Sequence, residues 1–360
     1  MLHQPGEPLR LEEVRLDPPG PDEVRVRMLA SGICHSDLHV VDNEWGNPGP
    51  IVLGHEGCAE ITQTGSGVSD TRLGTRVVLN WYASCQDCGD CRAGRPWLCQ
   101  RTRSIEHVMP DGTTRLHRSD GSDLLAYLGL GTFSTEAVVP ASAAVPIPDG
   151  VPPEVAALIG CCVSTGVGSV LRTARVPAGA SAVVFGLGGV GLSILLGLRL
   201  AGALEIVAVD RVQSKLDLAA ELGATGTVLA AEPEATVRLV REHTGGGADF
   251  AFEAVGLRET TEQAIGALRP GGTAVLVGMT RLGERASFDT FDFVDRSLRI
   301  IGSNYGYSVP DVDFPRYARL FLAGRLAIDR LIDERIGLAD ANRALQAMRN
   351  GEGTRRVIVF

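Results

Sequence analysis

At 360 residues, 44% of them hydrophobic and 21% charged, the chain has globular composition and exceeds the usual single-domain size, so two compact domains are expected rather than a small stapled fold. A formal charge of −9 at pH 7 argues against a nucleic-acid partner, because backbone affinity draws on clustered Lys and Arg. The opening MLHQPGEPLR lacks the apolar core of a secretory signal and runs into the alternating Glu23-Val24-Arg25-Val26-Arg27, which reads as a cytoplasmic protein beginning on a strand.

The first chemistry-bearing stretch is Gly32-Ile33-Cys34-His35-Ser36-Asp37-Leu38-His39, followed by Gly54-His55-Glu56-Gly57. With Cys161, far downstream in Ile159-Gly160-Cys161-Cys162, these segments supply one His and two Cys, a set that a catalytic zinc uses while keeping a fourth position open. Spacing alone does not assemble that trio. A cysteine on the apolar helix after Pro152-Pro153 is more often core packing than a ligand.

Between them lies SCQDCGDCRAGRPWLC, in which Cys85, Cys88, Cys91 and Cys99 stand as C-x2-C-x2-C-x7-C. Four thiolates so close together can surround one zinc and leave no open position, the pattern of a structural site. Local disulfides or buried thiols fit a polar loop in a reducing compartment poorly, while an iron–sulfur cluster stays open as the alternative. Cys58 and Cys162 read as small buried residues, and His3, His107, His117 and His243 as exposed polar ones.

The most apolar stretch, 182–209, is too broken by glycine to be a membrane helix. It reads as a buried strand through Phe185, the tight turn Gly186-Leu187-Gly188-Gly189-Val190-Gly191, a helix over 192–200, and a second strand over 205–209 that ends in Asp210. The glycines let backbone approach a pyrophosphate at the helix N-terminus, and an acid about 20 residues beyond the turn suits the ribose hydroxyls of NAD. Asp210 disfavours a 2′-phosphate, although Arg211 beside it could tolerate one. Strands over 249–253, 273–278 (after the turn Arg269-Pro270-Gly271-Gly272) and 298–302 complete a mainly parallel, doubly wound sheet.

Taken in order over essentially the whole chain, Gly54-His55-Glu56-Gly57, the four-cysteine loop, the 186–191 turn and the closing Arg355-Arg356-Val357-Ile358-Val359-Phe360 resemble the zinc-containing medium-chain alcohol dehydrogenase family. The resemblance implies an α/β protein with a Rossmann domain and a GroES-like, mainly β catalytic domain: residues 1–162 catalytic, 163–303 NAD-binding, and 304–360 returning to the first. It implies two zincs, one held by Cys34, His55 and Cys161 and one by Cys85, Cys88, Cys91 and Cys99. Asp37 and Glu56 would stand behind the catalytic ligands, with Asp37 fixing the tautomer of His55.

By the same resemblance Ser36, the nicotinamide ribose and His39 relay the substrate proton. His35 and Arg355 contact the pyrophosphate, Lys215 lies near the adenosine ribose, and Thr165 and Val190 press on the nicotinamide. Trp81, Tyr127, Leu128 and Met279 fall at substrate-pocket positions, with Trp45 at the entrance; ordinary packing is the alternative for each. Such a pocket suits a primary alcohol or aldehyde with an apolar or aromatic body.

Cys99-Gln100-Arg101-Thr102-Arg103 resembles the glutathione-dependent formaldehyde dehydrogenase branch, where an arginine at the place of Arg103 receives a substrate carboxylate and where acids stand in the loop of Asp42 and Glu44. A hydroxymethyl-thiol adduct is therefore the runner-up substrate. A zinc- and NAD-binding protein without turnover is the alternative of another class, disfavoured by Ser36 and His39. The long stretch 101–130 resembles dimeric members of the family, a tetramer being the alternative, and NAD is expected to exchange at each turnover.

Overall fold

Alternation over Glu23–Gly32 (EVRVRMLASG) puts Val24, Val26 and Met28 on one face of a strand, and all three are buried. In the computed structural model, which describes residues 1–46 and 49–360, this strand, β1, is the backbone of a seven-stranded sheet. One edge of β1 pairs antiparallel with β2 (Glu56–Thr64), while the other takes Glu136–Pro140 along its first half and Arg355–Val359 along its last. Arg76–Leu79 and Ala144–Pro146 extend the sheet past β2, and Ile332–Ile336 extends it past Arg355–Val359. Val24, Val26, Met28, Ile61, Val77 and Leu79 form a core on one side, each apolar side chain of this size contributing about 1.5–3 kcal/mol by leaving water.

Helix α1 (His35–Val41) follows β1 directly. Its buried positions Leu38, Val40 and Val41 join a second core with Leu2, Ile33, Ile51 and Ile358, so His35, Ser36 and His39 are left on the less buried side.

The residues divide into two compact units, Met1–Cys161 with Val309–Gly324 and Ile328–Phe360, and Cys162–Ser308 with Arg325–Ala327. The chain leaves the first unit inside the helix Pro153–Ala174. Among the described residues this is the one helix long and apolar enough to cross a membrane, but 83% of its apolar window is buried inside the protein, as in a core helix.

The second unit is a six-stranded, wholly parallel sheet of β3 (Ser181–Phe185), β4 (Glu205–Asp210), β5 (Gly226–Leu229), β6 (Ala248–Glu253), β7 (Leu268–Leu276) and β8 (Arg299–Gly302). The spatial order β5-β4-β3-β6-β7-β8 is that of a dinucleotide-binding Rossmann sheet, reversing direction beside β3. The apolar stretch 182–209 resolves as strand, turn, helix α2 (Gly189–Ala201) and strand, as its glycines foretold. Two details differ from the sequence reading. β5 was not anticipated, because Gly226-Thr227-Val228-Leu229 is short and lacks alternation, and Arg269-Pro270-Gly271-Gly272 lies inside β7, bent at Gly271 (φ +80°), rather than between elements.

Candidate active site and metal centres

At Gly32, the last residue of β1, no side chain fits: a Cβ would collide with the Glu56 carboxylate and the Arg355 guanidinium. Two residues on, Cys34 caps α1 in an extended conformation. The buried carboxylate of Asp37 then ties Cys34, Gly54 and His55 together. Its Oδ2 accepts from the Cys34 backbone N–H at 3.0 Å, and its Oδ1 accepts from the Gly54 N–H at 3.0 Å and faces Nδ1 of His55 at 3.3 Å. Gly54 itself needs φ +90° and has no room for a side chain, since a Cβ would lie 2.6 Å from the Phe133 nitrogen. With Nδ1 directed at Asp37, Nε2 of His55 is the nitrogen left for a ligand role.

Cys161 arrives from the helix Pro153–Ala174, in the wide i→i+5 turn Ile159–Val163, a local widening often found where a helix carries function. The donor atoms of Cys34, His55, Glu56 and Cys161 all lie within 4.8 Å of one another, and all four residues are buried. Hydrogen bonding with Cys161 is the main reason the Cys34 thiol is held well below its usual range, against burial and with help from His55. Burial opposes the charged form of His55, yet Asp37 and Cys34 raise it well above its ordinary value. Burial pushes Glu56 up to about 7 despite Arg355. One Glu56 oxygen pairs with Arg355, and the other, Oε1, is buried without a hydrogen-bond partner. Two thiols, an imidazole and a carboxylate oxygen converging in a dry interior fit a borderline-soft cation such as zinc.

The four-cysteine loop forms the other cluster. Cys85, Cys88, Cys91 and Cys99 also bring their sulfurs within 4.8 Å of one another, with Cys88–Cys91 at 3.4 Å and Cys85–Cys91 at 4.0 Å. A tetrahedron of zinc–sulfur bonds near 2.3 Å has edges of roughly 3.8 Å, whereas a disulfide needs about 2.05 Å, and all eight cysteines are free. Backbone N–H groups of Cys88 and Cys85 point at the sulfurs of Cys85 and Cys99, each at 3.3 Å, which suits thiolate. A backbone hydrogen bond from the Cys91 region brings Cys88 to about 6, while burial, with Cys88 beside it, drives Cys91 to about 12. The loop is braced by Arg92–Asp87 at 2.7 Å and Arg95–Asp90 at 2.8 Å.

Around the first cluster, the Ser36 hydroxyl lies 3.7 Å from the Cys34 sulfur. His39, one turn further along α1, stacks on Trp45 at 4.3 Å and 27°, lies 5.1 Å from the His35 ring, and bonds through Nδ1 to the Glu44 carboxylate. Tyr127 is buried edge-on to His55, 5.4 Å between ring centres, and donates its hydroxyl to the Ser36 carbonyl at 3.2 Å. Burial puts the Tyr127 phenol well above its usual range, so it stays a neutral donor. Leu128 follows in a left-handed conformation (φ +52°) and gives its N–H to Nδ1 of His107 at 3.2 Å.

Three histidines depart from the exposed positions expected of them, and several residues singled out in the sequence have partners within the fold. Arg103 is bonded to Glu106 at 2.6 Å, Asp42 to Arg349 at 2.5 Å and Glu44 to His39, so the three charged residues compared with the formaldehyde branch are engaged within the fold. Arg355 is 3% exposed and pairs through its guanidinium with Glu56. Trp81 packs edge-on to Tyr82 beside the β1 core, and Met279 is an exposed residue of the second unit. His107 is half-buried and held below its usual range by burial; His3 and His117 are likewise partly buried and bonded to acids, and only His243 is exposed. Cys58 and Cys162 are buried as expected, with burial taking Cys58 to about 12.

In the second unit, Gly186 (φ +88°) lets β3 turn sharply, and a Cβ at Gly191 would strike the Gly186 carbonyl. Gly188 is different: a Cβ there would meet nothing within 4 Å. Internal packing does not require that glycine, and the open space at the N-terminus of the 13-residue α2 fits a pyrophosphate. Asp210, at the end of β4, accepts from the Leu187 N–H at 2.7 Å and from the Val212 N–H at 3.0 Å, which holds its carboxylate beside the turn. Lys215 is half-buried on the helix Gln213–Glu221 that follows. Gly166, the residue after Thr165, packs against α2, where a Cβ would sit 2.6 Å from the Val190 carbonyl.

A cysteine–histidine cluster, a four-cysteine loop, a mixed β unit and a Rossmann unit define a metal-dependent dehydrogenase. Residues 20–149 match the alcohol dehydrogenase GroES-like domain, and residues 189–323 match the zinc-binding dehydrogenase domain. The chain is 36% identical over 365 residues to an NDMA-dependent alcohol dehydrogenase of Amycolatopsis methanolica, covering 100% of this chain and 97% of that one. It is 34% identical to an S-(hydroxymethyl)glutathione dehydrogenase of Paracoccus denitrificans, covering 99% and 97%. The crystal structure of benzyl alcohol dehydrogenase from Acinetobacter calcoaceticus superposes with a TM-score of 0.93 at 32% identity, covering 99% of this chain and 97% of that one. The chain belongs to the zinc-dependent medium-chain alcohol dehydrogenase family. It is an oxidoreductase acting on alcohols, with zinc and a nicotinamide dinucleotide as its cofactors.

Proposed function

We infer that this enzyme interconverts primary alcohols of apolar or aromatic body and their aldehydes with NAD. The observation that carries the reading is the convergence of Cys34, His55 and Cys161 in a buried cluster with Ser36 beside it. When bound, zinc supplies Lewis acidity toward an alcohol oxygen and NAD supplies the hydride acceptor. Cys34, His55 and Cys161 hold that zinc, Asp37 orients His55, and Glu56, balanced by Arg355, stands behind the ligands. Cys85, Cys88, Cys91 and Cys99 hold the structural zinc. Ser36 takes the alcohol proton and His39 carries it outward. Tyr127 lies edge-on to His55, with Leu128 next in sequence, which favours an apolar substrate, as does the kinship to an enzyme named for benzyl alcohol.

The acid at Asp210 favours NAD over NADP, with the 186–191 turn and the N-terminus of α2 holding the pyrophosphate, and with His35, Thr165, Val190 and Lys215 as further cofactor contacts. The domain reading is 1–162 catalytic, 163–303 cofactor-binding and 304–360 returning. A homodimer through the edge strand β8 is supported by the exposed Leu282, Phe291 and Val294 nearby in sequence, each at least 75% exposed. Eight cysteines with no disulfide among them support a cytoplasmic setting.

The test is NAD reduction by the purified, metal-quantified enzyme over apolar primary alcohols, with a hydroxymethyl-thiol adduct in the same panel. Two zincs per chain and repeated NADH release from the apolar alcohols are expected. Activity confined to the thiol adduct would reverse the substrate reading, and a single equivalent of NADH without further turnover would contradict free exchange of the cofactor.

A further inference from the structure

The contact between Glu44 and His39 has no place in the relay as described, yet the loop after α1 is built around it. At the end of the helix Asn43 adopts a left-handed conformation (φ +59°), which reverses the chain, and the Glu44 N–H returns to the His39 carbonyl at 2.9 Å. The Glu44 side chain then reaches Nδ1 of the same residue, and Trp45 lies flat on the ring at 4.3 Å. Asp42, just before the turn, is tied to Arg349 at 2.5 Å. The two partners are 15% and 18% exposed, so the imidazole is held by a carboxylate on one nitrogen and an indole on one face while a path to water remains.

We propose that Glu44 is a positioning residue of the proton relay, holding His39 in the tautomer whose Nε2 can receive a proton and balancing the charge that follows. The proposal rests on the Ser36–His39 relay. An ionised carboxylate only accepts, so its partner nitrogen carries the hydrogen, and in a neutral imidazole the other nitrogen then carries the lone pair. As the alcohol gives its proton to the relay, an N–H bond forms at Nε2. The Nδ1–H bond to Glu44 stays intact, and the imidazolium later returns the Nε2 proton to water. Glu44 neither gains nor loses a proton, the part an acid plays behind a catalytic histidine in hydrolytic triads. The stacked Trp45 fixes the ring plane, so Nε2 keeps one direction.

Glu44→Gln, His39→Gln and the double variant decide it. The readouts are alcohol oxidation at pH 7, zinc content, and the tautomer of His39 by 15N NMR of histidine-labelled enzyme. Expected for Glu44→Gln are a loss in kcat of at least about tenfold, an alcohol KM within about twofold, two zincs per chain, and a shift of hydrogen from Nδ1 toward Nε2. In the His39→Gln background the Glu44 change should add nothing, because it acts through a ring that is gone. Losses that multiply in the double variant, or a Glu44→Gln enzyme with unchanged kcat and tautomer, overturn the proposal. Full activity in His39→Gln overturns the relay itself, whereas an impaired His39→Gln beside an unimpaired Glu44→Gln overturns only the role of Glu44.

Discussion

One carboxylate of Asp37 serves both halves of the catalytic cluster, 3.3 Å from His55 Nδ1 and 3.0 Å from the backbone N–H of Cys34. The two ligands are 21 positions apart in sequence (55 − 34) and share one brace, so disturbing it should loosen both. Asp37→Asn keeps the shape but replaces an acceptor oxygen with a donor group. Its catalytic zinc should bind about 10–100-fold more weakly, while the four-cysteine loop keeps its own. Chelator competition followed by metal counting should end near one zinc per chain; two tightly held zincs would remove Asp37 from this role.

Metal binding by the four-cysteine loop should release protons, and the source is specified. At pH 8 the Cys88 thiol, at about 6, is already ionised, whereas Cys91, at about 12, keeps its proton until a metal displaces it. Zinc titration of apo enzyme whose catalytic ligands have been removed should acidify an unbuffered solution at pH 8. Affinity should fall further as pH drops through 6 and Cys88 takes up a proton. Binding without proton release at pH 8 would contradict the assignment.

In the NAD reading proposed above, Asp210 excludes a 2′-phosphate and Arg211 beside it would welcome one once the acid is gone. Asp210→Ser should lower the NAD-to-NADP ratio of kcat/KM at least about tenfold. Because Asp210 also holds the Leu187 and Val212 N–H groups, the KM for NAD should rise as well. An unchanged ratio would mean that another residue reads the ribose.

Glu253 at the end of β6 accepts from the N–H groups of Val255 and Gly256 through Oε1 while Oε2 is buried without a partner, and burial raises its carboxyl above the ordinary 4.5. A folded-state value above the unfolded one means that its relative contribution is most favourable at low pH and is lost as pH rises through the folded value. Glu253→Gln should therefore gain on the parent as pH climbs from 4.5 toward 8. Thermal melts across that range measure the trend, and parallel Tm curves would refute it.

Elements whose signal is local could be read from the chain alone. β3, the glycine turn, α2 and β4 follow from an apolar run punctuated at fixed intervals, and the four-cysteine loop follows from its spacing. What could not be read depends on where distant segments land. Arg355 meets Glu56 across 299 positions and Arg349 meets Asp42 across 307, so the composition of either neighbourhood is silent about the pairing. Glu44 was visible as a loop acid, but its partner is decided by the left-handed turn at Asn43, which the residue type permits without requiring. β5 escaped because four residues starting with glycine carry too little periodicity.

The pairing of Glu56 with Arg355 also sets an order of events on the ribosome. At about 5–20 residues per second, 299 residues separate their synthesis by roughly 15–60 s, during which the carboxylate has no guanidinium to meet. The cysteine loop needs only the 14 positions from Cys85 to Cys99 and can take its metal while the chain is still growing. The carboxylate behind the catalytic cluster is balanced only once the last strand of its sheet is made, so the loop can close around its zinc while that cluster still lacks its counter-charge.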